Sequence, residues 1–532
     1  MPIAYLSAAQ ISALSAQIFD DLSTTKLATL SSTQLGALNA SSVAVLDATQ
    51  VEALSATQVK GLSATQIPSF GANVAFNAAQ LATFSSELVE ALTSTQLAAL
   101  DAARLDAFSA TQIGALSETS FSRLDATQVA SLDATQVKGL TVTQMSALTV
   151  TDIGELSTTH VAALGAEQLG ALSTTAVASL SLDQLDALSS TQMKGFSGAQ
   201  IESMSAAQVS GFDTTQLSAF SAGQVAALSE TQVTALSNTQ VLSLTATQLG
   251  GLSATGLSAL NGAEMAGLSA TQVAGLSVTQ IQSLNATDFA ELSATQVAGL
   301  TATQLSGLST TNINALTATQ IAALSSTQFA GLNATQLGGM GAGDFAELST
   351  TQMIGLSATQ VSGISASNLS GLTSTQFQAL STTQVTGLTS TQLRGLSTTD
   401  IGEFSTTQVA TLTATQLGAL SVTNLAALDT TQVGALTGTA IKGLSAYQMR
   451  SLSLDVFNEL TSTQVGALVA SQIGALSTTV ISGLSTTQVG YLTPAQIPGL
   501  TISQLDWLSS TNIAAMSPIQ VGAFTPAQVE SL

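Results

Sequence analysis

The chain has 532 residues, of which 45% are hydrophobic but only 8% charged and 4% aromatic, a bias that fits a repetitive array better than a set of varied globular cores. Its 9 basic and 31 acidic residues give a formal charge of −22 without any basic cluster, which argues against a nucleic-acid groove or an anionic membrane surface. Cysteine is absent, so disulfides and thiolate metal sites are excluded, and the hydrophobic fraction is too high for simple disorder.

The opening MPIAYLSAAQISAL lacks a basic n-region and a continuous apolar h-region, so no secretory signal is expected there. No apolar run approaches the ~18 residues of a transmembrane helix, and no membrane insertion is expected. Residues 1–5 read as an N-terminal cap. From Leu6 an apolar anchor recurs every eighth residue (Leu6, Leu14, Leu22) through Leu62 to Phe70. The next unit, FGANVA at 70–75, is two residues short, and Phe76 opens the one after it. From Phe76 every eighth residue is Leu, Phe, Met or Ile to Leu532, about 66 units in all. The expected organisation is octapeptide repeats over 6–69, a shortened repeat over 70–75 and octapeptide repeats over 76–532, read as one continuous solenoid.

With the anchor as slot 0, slot 1 is Ser, Thr, Asp, Asn or rarely Gly, and Val469 is the one clear exception. Slot 3 is mostly Thr, slot 4 mostly Gln, slot 5 a second apolar residue and slot 7 usually Ala, Gly or Ser. A continuous α-helix turns ~100° per residue, so anchors eight apart would spiral around it. A continuous strand would put slots 0 and 5 on opposite faces. The backbone must bend once per unit. Slot 1 carries the residues that cap a helix N-terminus, and Gln three residues later completes a capping box. The apolar residues at slots 0 and 5 then form a hydrophobic staple. Pro494, Pro518 and Pro526 at slot 2 fit the first helical position, where a missing N–H costs nothing. Pro68 and Pro498 at slot 6 imply helices so short that they fray there. The predicted fold is all-α, a solenoid or superhelix of very short capped helices, one per repeat. The alternative is a β-solenoid with Thr and Gln ladders. Burying two aliphatic side chains does not offset the ordering of eight residues, so units must share a core.

Lys60, Lys138, Lys194, Arg394, Lys442 and Arg450 all occupy slot 6, which marks it as the solvent side. Asp288–Glu291, Asp344–Glu347 and Asp400–Glu403 recur at 56-residue intervals, as do Asn312, Asn368 and Asn424. Duplication of a seven-unit block explains this most simply. The sharper reading is that seven units complete one geometric turn and align the acids for a partner or a cation. Asp152–Glu155 is the same pair out of phase.

Little points to chemistry. His160, the sole histidine, replaces Gln at slot 4 and can cap in its place, and no second histidine exists to join it on a metal. Asp47, Asp125, Asp133, Asp213 and Asp429 sit at slot 1, where helix-start electrostatics accounts for them. Calcium-loop and phosphate-loop motifs are missing. No catalytic, cofactor-binding or metal site residues are assigned, no cofactor is implied, and the chain reads as a non-enzyme.

The phrase LSATQVAGL (292–300) and its variants resemble octapeptide tracts of large bacterial surface or exported repeat proteins, and the resemblance covers almost the whole chain. It implies a structural role: an extended rod, stalk or fibre on or outside a bacterial cell, such as an adhesin shaft or a surface-layer-like component. The expected partners are further copies of the chain or cell-surface and matrix components. The alternative is a repetitive binding module for polysaccharide or cations.

Overall fold

The computed structural model describes residues 3–71 and 76–532, so part of the shortened repeat, residues 72–75, lies outside the described residues. Among the described residues there are 63 α-helices of four to six residues, three 3-10 segments and no strand. The all-α reading holds, with one short helix per octad, and the β-solenoid is ruled out. The chain falls into two compact units, Met1–Gly267 and Leu268–Leu532.

Helices this short do not persist alone, because nucleation is too costly. Most are held at their start by the predicted box, although Ala16–Asp20 and Thr24–Leu27 lack it. At Ser55 (φ −70°, ψ 154°) the hydroxyl accepts the Gln58 N–H at 3.3 Å, while Gln58 Oε1 accepts the Ser55 N–H at 2.9 Å. Each helix is closed by the next anchor, as where the Leu62 N–H donates to the Val59 carbonyl at 3.0 Å. The anchor itself is extended (Leu300, φ −66°, ψ 142°) and redirects the chain into the next cap. Eight residues therefore make one cap, one to one-and-a-half turns of helix and one bend. Slots 0 and 5 are buried along most of the array, opening only at its two ends, where Leu6, Leu14 and Leu22 are half-buried and Val521, Val529 and Leu532 exposed, and the six slot-6 Lys and Arg residues are all exposed.

The expectation that helices fray by slot 6 needs correction. They end at slot 5, 6 or 7, as in Ala56–Val59, Ala134–Lys138 and Ala294–Gly299. Proline at slot 6 does abolish the α-helix: the units of Pro68 and Pro498 hold only the 3-10 segments Ile67–Ser69 and Ile497–Gly499. Pro518 and Pro526 open α-helices as expected, whereas Pro494 shares a unit with Pro498 and lies in a turn.

Within each unit the chain winds so that every helix packs on the one three octads away. Ala134–Lys138 lies against both Ala110–Gly114 and Thr158–Ala163. Hydrogen bonds between turns span 28 and 31 residues, and a turn holds about 28 residues, between three and four octads. Seven octads are thus about two turns, which corrects the reading of seven units as one turn.

Slot 7 is small because turns meet there. Gly139 has ordinary helical torsions (φ −75°, ψ −13°), but a Cβ on it would overlap the carbonyl of Ala110, and a Cβ on Gly114 would overlap the carbonyl of Gly139. Large slot-2 side chains use the same gap: the Leu182 methyl lies 3.6 Å from where a Gly211 Cβ would stand. Beside the shortened repeat, Phe76 packs edge-on against both Phe70 and Phe84, with ring centroids 5.0 Å apart in each pair.

Candidate functional site: glutamine rungs between turns

The most repeated piece of chemistry in the molecule is the slot-4 glutamine. Gln136 is 2% exposed. Its Oε1 accepts the Asp133 N–H at 2.8 Å, and its Nε2 donates to the carbonyls of Leu105 at 2.9 Å and Phe108 at 2.8 Å. Those carbonyls belong to the C-terminal end of helix Ala102–Leu105, where backbone acceptors lack intrahelical partners. One side chain thus starts its own helix and finishes another on the neighbouring turn. The arrangement recurs at Gln58, Gln216, Gln352 and Gln504. Both donors and the oxygen of the buried amide are used, three of its four hydrogen-bonding sites, so that neither polar atom is buried without a partner.

The capping half of this role was legible in the sequence; the rung between turns was not. A signal was available. A capping box accepts Glu as readily as Gln, yet slot 4 is overwhelmingly Gln, with Glu264 a rare exception. A carboxylate brings no donor to the carbonyls below, whereas an amide brings two.

Other residues at slot 4 fill the role in part. His160 accepts the Ser157 N–H on Nδ1 at 3.3 Å and holds the Leu132 carbonyl with Nε2 at 2.9 Å. A carbonyl only accepts and an amide N–H only donates, so the ring is the neutral tautomer with its proton on Nε2. Asn312, Asn368 and Asn424 are too short for the box and keep one rung bond each, to Leu284 at 2.8 Å, Met340 at 2.7 Å and Leu396 at 2.8 Å. Asp152, Asp344 and Asp400 accept their cap's N–H but have no donor for the turn below. Val469 supplies only half a box, its N–H meeting Gln472 Oε1 at 2.9 Å.

The acid pairs come together less than their spacing suggests. Asp400 Oδ2 also accepts the Ser370 hydroxyl at 2.6 Å, and the Ser374 hydroxyl donates to Glu403 Oε1. Asn314 and Ala318 hold the positions equivalent to Ser370 and Ser374 beneath Asp344–Glu347, so this pattern is local. Among the described residues no group of three or more His, Asp or Glu side chains is placed to hold a metal ion, and the ion pair present is Asp101–Arg104 at 3.3 Å. Burial, then the neighbouring carboxylates of Asp152 and Asp125, push the Glu155 carboxyl above its ordinary range. The Thr431 hydroxyl and then the Gln432 N–H hold Asp429 below its own. A shallow open groove of about 860 Å³ carries Glu90, Glu118, Ser86, Thr111 and Thr141 on its walls.

Three segments match the ALTTAQ repeat family: residues 150–181, 161–198 and 470–502. The chain is a tandem helical-repeat protein. Its matched stretches are ordinary parts of the array, each about four octads or slightly more than one turn, and they include the His160 and Gln184 rungs. No curated protein matches the chain. Among the described residues no helix is long and apolar enough to cross a membrane.

Proposed function

We propose that this protein is a structural, non-catalytic repeat element that sets length and spacing on or outside a bacterial cell, as a stalk, adhesin shaft or surface-layer-like component that associates with further copies of itself or with matrix. The observation that carries the reading is the slot-4 rung. The buried polar side chain of each standard octad is spent on joining turns, and the exposed slot 6 varies freely. A protein built this way gains extent with every unit added and has little chosen surface chemistry. Low charge density of one sign keeps such an object soluble. The test is the particle itself, together with its place in the cell. Electron microscopy of the purified chain and of a variant lacking seven octads should show particles whose long dimension shrinks in proportion, and cell fractionation should find the protein with the envelope or the medium. Globular particles of unchanged dimension, or a strictly cytoplasmic location, would overturn the proposal.

A second reading, a binding module for polysaccharide or cations, rests on the groove that carries Glu90 and Glu118. Carboxylates beside hydroxyls suit sugar hydroxyls, but the groove has no aromatic platform. A glycan pull-down with the whole chain, repeated with Glu90→Gln and Glu118→Gln, separates this reading from the first.

A further inference from the structure

Ser42 stands at slot 4, where a glutamine amide would join two turns. It is 0% exposed, and its hydroxyl has no partner. The rungs on either side are intact: Gln34 Nε2 donates to the Leu6 carbonyl at 2.6 Å, and Gln50 Nε2 to those of Phe19 at 2.9 Å and Leu22 at 2.8 Å. The unit between them keeps the same register. Helix Ala40–Ala44 packs on Ala16–Asp20, Asn39 Nδ2 reaches the Ser12 carbonyl at 3.2 Å, and Asn39 Oδ1 accepts the Ser42 N–H at 2.9 Å. In that register slot 4 faces the carbonyls of Ile11 and Leu14 below and the backbone N–H of Asn39 beside it.

We infer that Ser42 marks an internal binding site for a single water molecule, which takes over the work of the glutamine amide. The chemistry selects the ligand. The amide of Gln50 accepts one N–H and donates to two carbonyls. Its substitute at Ser42 must accept from the Asn39 N–H and the serine hydroxyl and donate to the two carbonyls. Water has two donors and two acceptor lone pairs, and a buried water normally makes two to four such bonds. A cation fits poorly, because an N–H dipole points into the site and its oxygens are few. Replacing Gln by Ser removes three non-hydrogen atoms, which is room enough for one water. At this turn the neighbours are joined through solvent, so the rung exchanges where its flanking rungs do not.

The deciding experiment is a crystal structure of the whole chain at a resolution that shows ordered water, paired with hydrogen exchange. The expected result is one water within hydrogen-bond reach of Ser42 Oγ, with the Asn39 amide exchanging at least ten times faster than the Asp47 amide. Ser42→Gln should expel that water and slow the Asn39 amide to the Asp47 level. A dry site with the Ser42 hydroxyl turned onto a protein acceptor overturns the inference, as does an Asn39 exchange rate that Ser42→Gln leaves unchanged. Should Ser42→Gln not fold, the wild-type crystal alone decides.

Discussion

Gln96 donates from Nε2 to the Phe70 carbonyl at 3.2 Å across 26 residues, whereas the equivalent bond from Gln112 to Phe84, at 3.0 Å, spans 28. The second donor behaves alike, with 29 residues from Gln96 to Ile67 against 31 from Gln112 to Leu81. Gln80, also across the short unit, reaches Val51 and Leu54 over 29 and 26 residues. The two missing residues are absorbed between one anchor and the next, and the rung partners stay the same in kind. Adding two residues between Gly71 and Phe76 should therefore cost less than about 0.6 kcal/mol, the scale of a doubled loop. The same insertion inside Ala134–Lys138 would move Gln136 off its carbonyls and should open that turn. Thermal melts of the two insertion variants distinguish the cases; equal loss in both would mean that register is set elsewhere.

Gln136→Ala leaves one N–H and two carbonyls without their partner, at about 1–3 kcal/mol for each group that water does not reach. A local loss of about 2–4 kcal/mol is expected, read as faster exchange of the Asp133 amide and of the amides that close Ala102–Leu105. Gln136→Glu should cost more, since it keeps the cap but sets a carboxylate against two carbonyl oxygens. A Glu variant as stable as wild type at neutral pH would show that the Nε2 bonds contribute little.

His160 tests the same idea with a different group. Its geometry requires the Nε2–H tautomer, which ¹⁵N shifts of the imidazole report directly. His160→Gln should restore the standard rung, adding a bond to Val129, and raise local stability by about 0.5–1.5 kcal/mol. Finding the Nδ1–H tautomer would contradict the bonding to Ser157 and Leu132.

These rungs show how far the sequence could be read. The cap at Ser55 and the box with Gln58 were legible because they lie three residues apart, within one helix start. The exposure of slot 6 was legible because Lys60, Lys138 and four further basic residues gather there. The bond from Gln58 to Leu30 was not legible, because the number of octads per turn depends on how slots 0, 5 and 7 pack in three dimensions. For the same reason the 56-residue spacing of Asp344 and Asp400 was readable as a period but not as about two turns. The unpartnered Ser42 hydroxyl was hidden as well: in the sequence it is one more small polar residue among many.

Glu155 gives a pH prediction whose sign is fixed. Its folded pKa is raised above the ordinary 4.5, first by burial and then by Asp152 and Asp125, so ionisation is harder in the folded chain than in the unfolded one. The associated stability is fully present below the unfolded value and is lost as pH rises through the folded value. Glu155→Gln should therefore stabilise the array at about pH 7 and make no difference well below 4.5. Urea midpoints at the two pH values test this, and a benefit that persists in acid would assign the effect to packing instead of charge.

Two glycines two octads apart separate close approach from helix propensity. Gly154 lies at slot 6 of Val150–Glu155, with no heavy atom within 4 Å of an added Cβ. Gly154→Ala should stabilise by about 0.5–1 kcal/mol, since alanine loses less backbone freedom in a helix. Gly139 also has helical torsions, so propensity alone predicts the same gain there. Its added methyl would instead overlap the Ala110 carbonyl and force the two turns apart. Overpacking of this kind costs about 1–3 kcal/mol. Opposite shifts in melting temperature for the two alanine variants are the expected outcome. A shared upward shift would mean that the turns do not approach as closely as Gly114 and Gly139 require, and the basis for a small residue at slot 7 would fall with it.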